Sequence, residues 1–444
     1  MQRRSVLKKW GALVAFGGLA GCQTTPDNGT PTGETNEPSL YPAISWNGER
    51  VAFASAAGNL VDGDENENWD IFLYERQTES IERISVSPDG NGGDADSTYP
   101  SNSTEGRYIA FTSGATNLVD EETGEVQQVY RYDRETGEPT LVSVNNDGEA
   151  ANAESYSYFP ALSTDGRFIV FSSRATNLAP QVTDAEWQVY VRDIEAEESR
   201  LVSTGPEGTP GDAPSMHGVI SGDGTAVGFH SQATNLVEQE TFDGQDVFFH
   251  DVQRRETKLV SKAPDGGVSN GQSRRASLSG DGRFLAFNSQ ATNLVKGEET
   301  TRESPTWGLF FYDREVGEIS RVGPVPPSGA VAAPDPKPSN TPSARYISFR
   351  SAADYWTDGI TNDVTDIFRY DRVEDTIVRV SLGHNGQESN GPSVHHSVSD
   401  DGRFVVFSSE ATNLVPNVGN EVSDIYLRDV AEGTTSRITQ PRDM

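Results

Sequence analysis

Ser163-Thr164-Asp165-Gly166-Arg167-Phe168-Ile169-Val170-Phe171-Ser172-Ser173-Arg174-Ala175-Thr176-Asn177-Leu178 decides the fold of this 444-residue chain. Asp165-Gly166 reads as a tight turn whose glycine can take positive φ. Before it lies a short apolar segment, Phe159 to Ser163. After it, Phe168, Val170 and Ser172 alternate against Ile169 and Phe171. A strand apolar on both faces is buried on both faces. Past a polar loop, Gln188 to Asp193 reads as a third strand and Arg200 to Ser203 as a fourth.

The stretch recurs. Its marker phenylalanine stands at Phe53, Phe111, Phe171, Phe229, Phe287, Phe349 and Phe407, at spacings of 58 to 62 residues, with a serine two residues on and an alanine four on. No segment carries a 3.6-residue apolar period. Seven units of four short strands predict an all-β chain, a seven-bladed β-propeller of four-stranded antiparallel blades in which each sheet covers its neighbours. The units run about 40–97, 98–156, 157–215, 216–273, 274–334, 335–393 and 394–442. The first opens with a first strand and the last closes with a fourth, so the ring is expected to close in register, without a shared blade.

What recurs in every blade reads as structure. Ser-x-Ala-Thr-Asn-Leu, at 113–118, 173–178, 231–236, 289–294 and 409–414, offers side chains that bond nearby backbone and a leucine for the blade interface. The arginine after the turn (Arg107, Arg167, Arg283, Arg403) and the aspartate ending the third strand (Asp133, Asp193, Asp251, Asp313, Asp371, Asp429) are expected to bridge one blade to the next.

Ser-x-Asp-Gly-Arg-Phe-x-x-Phe, at 163–171, 279–287 and 399–407, resembles the TolB-type, WD-like propeller repeat, and the repeating region spans about nine tenths of the chain. The resemblance implies the fold. Members of that class serve as protein-docking scaffolds, as domains beside peptidases and, more distantly, as pectate-oligomer lyases, so it implies no single activity.

Arg3 and Arg4 precede a short apolar run from Trp10 to Ala20, as in a twin-arginine export signal. Leu19-Ala20-Gly21-Cys22 resembles the lipobox of lipoproteins, which implies a signal peptide over 1–21 and a lipid on Cys22. The alternative, an uncleaved anchor helix, would need roughly 20 apolar residues. Cys22 is the only cysteine, which excludes an internal disulfide framework. Residues 22–39 are expected to be a disordered tether, placing the body on the extracellular face of the cell membrane.

The formal charge is −32 and lysine is scarce, so a nucleic-acid partner is excluded for want of a basic face. The composition resembles that of haloarchaeal exported proteins, which implies adaptation to salt; an acidic but salt-indifferent protein is the plainer reading.

Catalytic motifs are scarce: there is no His-Glu-x-x-His and no phosphate loop. Gly222-Asp223-Gly224 is the fourth unit's turn. Asp62, Asp64, Asn66 and Asp70 have the spacing of a calcium loop, although solvated surface is the simpler reading; no other cofactor is expected.

The copies also differ from one another. Twelve residues before each marker stand Tyr41, Tyr99, Phe159, His217, Arg275, Lys337 and His395, at the entrance of the innermost strand, where they are expected to ring one mouth of the central channel. On the same face, unit five carries Trp307 in a longer loop, and unit six replaces Thr-Asn-Leu by Asp354-Tyr355-Trp356 after a proline-rich insertion from Gly323 to Pro338. A ligand groove is expected there, with Trp307 and Tyr355 stacking and Arg275 and Lys337 meeting an anion. Trp356, in a leucine position, fits core filling better. His217, His395 and His396 could serve a metal or act as acid and base, but ordinary polar residues of the mouth are the better reading, because units four and seven are not neighbours. The expected function is that of a monomeric, membrane-anchored binding or scaffold module with a protein or carbohydrate partner. The alternative is a carbohydrate-active lyase or hydrolase working from the channel mouth.

Overall fold

The structure, a computed structural model, describes residues 35–155, 160–297, 307–324, 335–338, 344–416, 419 and 422–440, with only the backbone of 335–338. These residues form seven antiparallel sheets of four strands in sequence order, the blades of a seven-bladed propeller. Blade one is Ser39–Ile44, Arg50–Ser55, Asp70–Glu75 and Ser80–Arg83. In blade three the second and third strands, Phe168–Ser173 and Gln188–Asp193, fall where the alternation puts them. The fourth, Glu198–Leu201, starts two residues earlier than expected, because the turn after Asp193 is tight. The folded body also begins earlier than the expected tether boundary at 39: Thr35 is buried and its hydroxyl donates to Asp424 at 2.9 Å.

Each blade stacks its marker phenylalanine on an aromatic of its own third strand, as in Phe53 on Phe72 at 5.7 Å and Phe171 on Tyr190 at 5.8 Å between centroids. The apolar clusters lie between blades rather than within them. Ala52, Ile71 and Leu73 of blade one pack with Ile109, Phe111 and Tyr130 of blade two, and Phe404, Val406 and Ile425 of blade seven pack with Val51, Phe53 and Phe72 of blade one. The recurring serine caps the loop: Ser55 Oγ accepts from Ala57 N at 3.0 Å and pairs with Ser39 Oγ at 2.8 Å. Asn117 ties that loop to the incoming chain, donating to the Gly92 carbonyl at 3.1 Å.

One expectation is corrected. The arginine and aspartate do not bridge blades; they clamp the second strand to the third within one blade. Arg167 Nε and Nη2 donate to the two oxygens of Asp193 at 2.8 and 2.7 Å, because Phe168 pairs in register with Asp193. The same clamp joins Arg107 to Asp133, Arg283 to Asp313, Arg345 to Asp371 and Arg403 to Asp429.

The ring closes in register, with blade seven built from Ser393–Val398 through Thr434–Arg437 and none of its strands taken from the N-terminal segment. Ser39 N donates to the Ser423 carbonyl at 2.7 Å, as Ser97 N does to Trp69 at 2.6 Å and Ser215 N to Trp187 at 2.8 Å. On the opposite face the turns bond one another, Asp400 N to Trp46 O at 2.8 Å, Trp46 N to Thr104 O at 2.9 Å and Thr164 N to Gly222 O at 2.8 Å.

Candidate functional site

In blades one, two, four, five and seven the first strand holds one residue more than the segment it pairs with, a β-bulge. At those bulges stand Tyr41, Tyr99, His217, Arg275 and His395, with φ of 59°, 56°, 55°, 56° and 44°. An L-residue in this left-handed region costs about 1–2 kcal/mol. Tyr41 is the third residue of Ser39–Ile44, so these side chains belong to the middle of the innermost strand and not to its entrance. The aromatic side of the ring is closed up: the Tyr41 ring lies 4.4 Å from that of Tyr99 and 4.3 Å from that of His395, across two blade junctions.

The cationic side is built differently. His217 stacks on His230 of the next strand at 4.9 Å. His230 is 4% exposed and its Nδ1 has no protein partner. Burial above all holds its pKa well below the imidazole range, and His217, Arg275 and Arg274 push the same way, so the ring is neutral near pH 7. Arg274 lays its guanidinium over the Trp307 ring, 4.1 Å from the centroid. Arg274 and His230 escaped the sequence reading. The signal for His230 lay in the residue after each marker, which is small in Ala54, Thr112, Ser172 and Ser408.

Two ring positions depart from expectation. Lys337 pairs with Ser348, the place where blade one pairs Ala43 with Ala52; Asp335–Pro338 has no bulge, and counting back twelve residues stops short of the ring position in blade six. Phe159 lies outside the described residues, as do Cys22, Arg3 and Arg4. Trp307 precedes the strand Gly308–Asp313 and is half-buried beneath Arg274. Tyr355 packs on Trp356 at 5.1 Å, and Trp356, 5% exposed, packs on Phe349 at 4.6 Å. Both, with Asp354, Asp358 and Ile360, line an open cavity of about 400 Å³.

The histidines do not converge. His396 turns away into the junction with blade six, its Nδ1 2.8 Å from Ser348 Oγ, while His395 meets Tyr41. Among the described residues no group of three His, Cys, Asp or Glu side chains is arranged to hold a metal ion. In the acidic loop the carboxylates surround a guanidinium: Arg83 reaches Asp64 at 2.8 Å and Asp70 at 3.4 Å, and Asn66 donates to Asp70 at 3.2 Å. Burial pushes Asp70 up to about 6 despite the hydroxyl of Ser85 and the charge of Arg83. Asp64 is raised by burial as well. A calcium ion would have to displace Arg83 from these groups.

No family model matches the chain, and no curated protein does. Among solved structures it is similar to an oligogalacturonate lyase from Vibrio parahaemolyticus, at 14% identity and a TM-score of 0.54, over 89% of this chain and 92% of that one. It is also similar to an acylaminoacyl peptidase from Pyrococcus horikoshii, at 13% identity and 0.53, over 90% of this chain but 52% of the peptidase. TolB from Acinetobacter baumannii aligns at 13% identity and 0.42, over 76% and 64%. Likeness at these identities is likeness of fold: the chain is a seven-bladed β-propeller.

Proposed function

We propose that the chain is a binding or scaffold propeller, lipidated at Cys22 after twin-arginine export through Arg3 and Arg4, that takes a protein or carbohydrate ligand at its central channel on the outer face of the cell membrane. The observation that carries this reading is the positive φ of Tyr41, Tyr99, His217, Arg275 and His395. Glycine holds that conformation at less cost. Retaining large side chains there, against about 1–2 kcal/mol each, points to a use for the surface they present. Aromatic rings on one side with His217 and Arg275 on the other suit a ligand that has an apolar or sugar face and an anionic group.

A carbohydrate-active enzyme is the second reading, favoured by the stacked pair His217 and neutral His230 beside two arginines. Both readings meet in one experiment. The mature chain in molar salt is offered to arrays of neutral and acidic oligosaccharides and cross-linked to solubilised membrane proteins. Arg275→Gly and His217→Gly are expected to keep or raise the melting temperature while losing about tenfold in capture, the equivalent of ~1.4 kcal/mol. Equal capture by wild type and variants sinks the channel as the site. Release of shortened or unsaturated sugars moves the reading to the enzyme.

A further inference from the structure

The arginine that follows the third strand recurs as Arg76, Arg134, Arg314 and Arg372, and each reaches the blade before its own. Arg76 lies over Phe404 at 4.3 Å, Arg372 over Phe284 at 4.1 Å and Arg314 over Phe249 at 3.6 Å. Arg134 instead meets two carboxylates of blade one, Glu75 and Glu82, both at 3.4 Å. Glu82 pairs with Leu73 in the blade-one sheet, and the residue that pairs with the equivalent Phe249 in blade four is Lys258. A base thus stands where blade one sets an acid opposite the arginine of the next blade. The place of Thr78 is likewise taken by Arg254.

The groove between blades four and five therefore gathers Arg254, Lys258 and Arg314 around a cavity of about 250 Å³, walled also by Phe249, Asp251 and Tyr312. Two acids are near, Asp251 at 3.4 Å from Arg254 and Glu256 at 3.3 Å from Lys258, but Arg254 and Lys258 are 76% and 59% exposed. Exposed pairs of this kind contribute little, so both cations can turn to another anion. Arg314 is partly buried, donates to the Gly282 carbonyl at 2.5 Å, and ion-pairs with no carboxylate among the described residues. Burial depresses its pKa, and the charges of Asp251 and Asp223 offset this only in part. The chain's overall charge of −32 would repel anions at long range, but at molar salt the screening length is about 3 Å and the three local cations decide.

We propose that this groove is a binding site for a small oxyanion, a carboxylate, sulfate or phosphate group held by Arg254, Lys258 and Arg314. Guanidinium groups suit such ligands because their planar forks match two oxygens at once. The test is calorimetric titration of the whole chain with sulfate and with citrate in matched sodium chloride, beside Lys258→Glu, Arg314→Gln and Glu82→Lys. Saturable heat is expected from wild type, none from Arg314→Gln. Lys258→Glu should also be silent and melt higher than wild type without the probe, because it rebuilds the bridge that Arg134 makes to Glu82. Glu82→Lys should gain a second site between blades one and two. The proposal is overturned by the absence of saturable heat in wild type, by heat that survives Lys258→Glu, or by a Lys258→Glu chain less stable than wild type. Sulfated and carboxylated oligosaccharides, run as a further arm, tell a free ion from a group carried on a glycan through which binds more tightly.

Discussion

Gly166 has φ of +68°, and a Cβ there would stand 2.3 Å from the ring of Tyr108 in the preceding blade. Gly224 meets Phe168 and Gly402 meets Tyr346 in the same way. The turn glycine is thus a hinge of conformation and also the floor on which the neighbouring blade's aromatic rests. Gly166→Ala is expected to lose about 2–4 kcal/mol in urea unfolding at constant salt, from left-handed strain and overpacking together; an unchanged midpoint would show that the turn relaxes freely. The turn was legible because Asp-Gly chemistry is local. The ring beneath it was not, since Tyr108 lies in another repeat. The left-handed bulges at Tyr41, His217 and Arg275 were still less legible, because tyrosine, histidine and arginine do not favour positive φ; only the surplus residue in each first strand betrays them.

At the scale of the strand, the arginine–aspartate clamp fixes where the second strand begins and the third ends. Asp193 also accepts from the backbone of Glu195 and Ala196, at 3.1 Å each, and so shapes the turn that follows. The bond from Arg167, above all, holds the Asp193 carboxyl below its usual 3.8. The sign follows: a carboxyl depressed in the folded state contributes stability above its unfolded pKa and loses it as pH falls through the folded one. Arg167→Gln is therefore expected to be less stable than wild type near pH 7, with the gap closing as pH falls below the usual 3.8 and through the lowered value, where Asp193 takes its proton in both chains. A gap that persists in acid would mean that Arg167 acts through packing on Phe168, over which its guanidinium lies at 4.9 Å. Both clamp residues stand out in the repeat, yet their direction could not be read, because it depends on the register of Phe168 against Asp193. In blade six the clamp uses Arg345, which follows a departed turn and escaped notice in the sequence.

Across the molecule, a chain of −32 charge wraps seven sheets whose apolar clusters lie at the junctions, so self-repulsion acts directly on the ring's seams. Far-ultraviolet circular dichroism is expected to lose its strand signal as salt falls from molar to about 0.1 M; an unchanged spectrum would refute adaptation to salt. The blade count, the strand order and the manner of closure were legible because a repeat displays its grammar seven times. The groove between blades four and five was not, because it arises from three residues, Arg254, Lys258 and Arg314, that are unremarkable alone. The junction between blades seven and one, where Ser39 bonds Ser423 and Thr35 bonds Asp424, has the backbone bond of the other junctions without a chain running through it. Continuity of the polypeptide is therefore dispensable at any one seam. A circular permutant begun at blade four, with the old ends joined by a linker, should build the same wheel, which makes the numbering of its blades a property of the gene and not of the architecture.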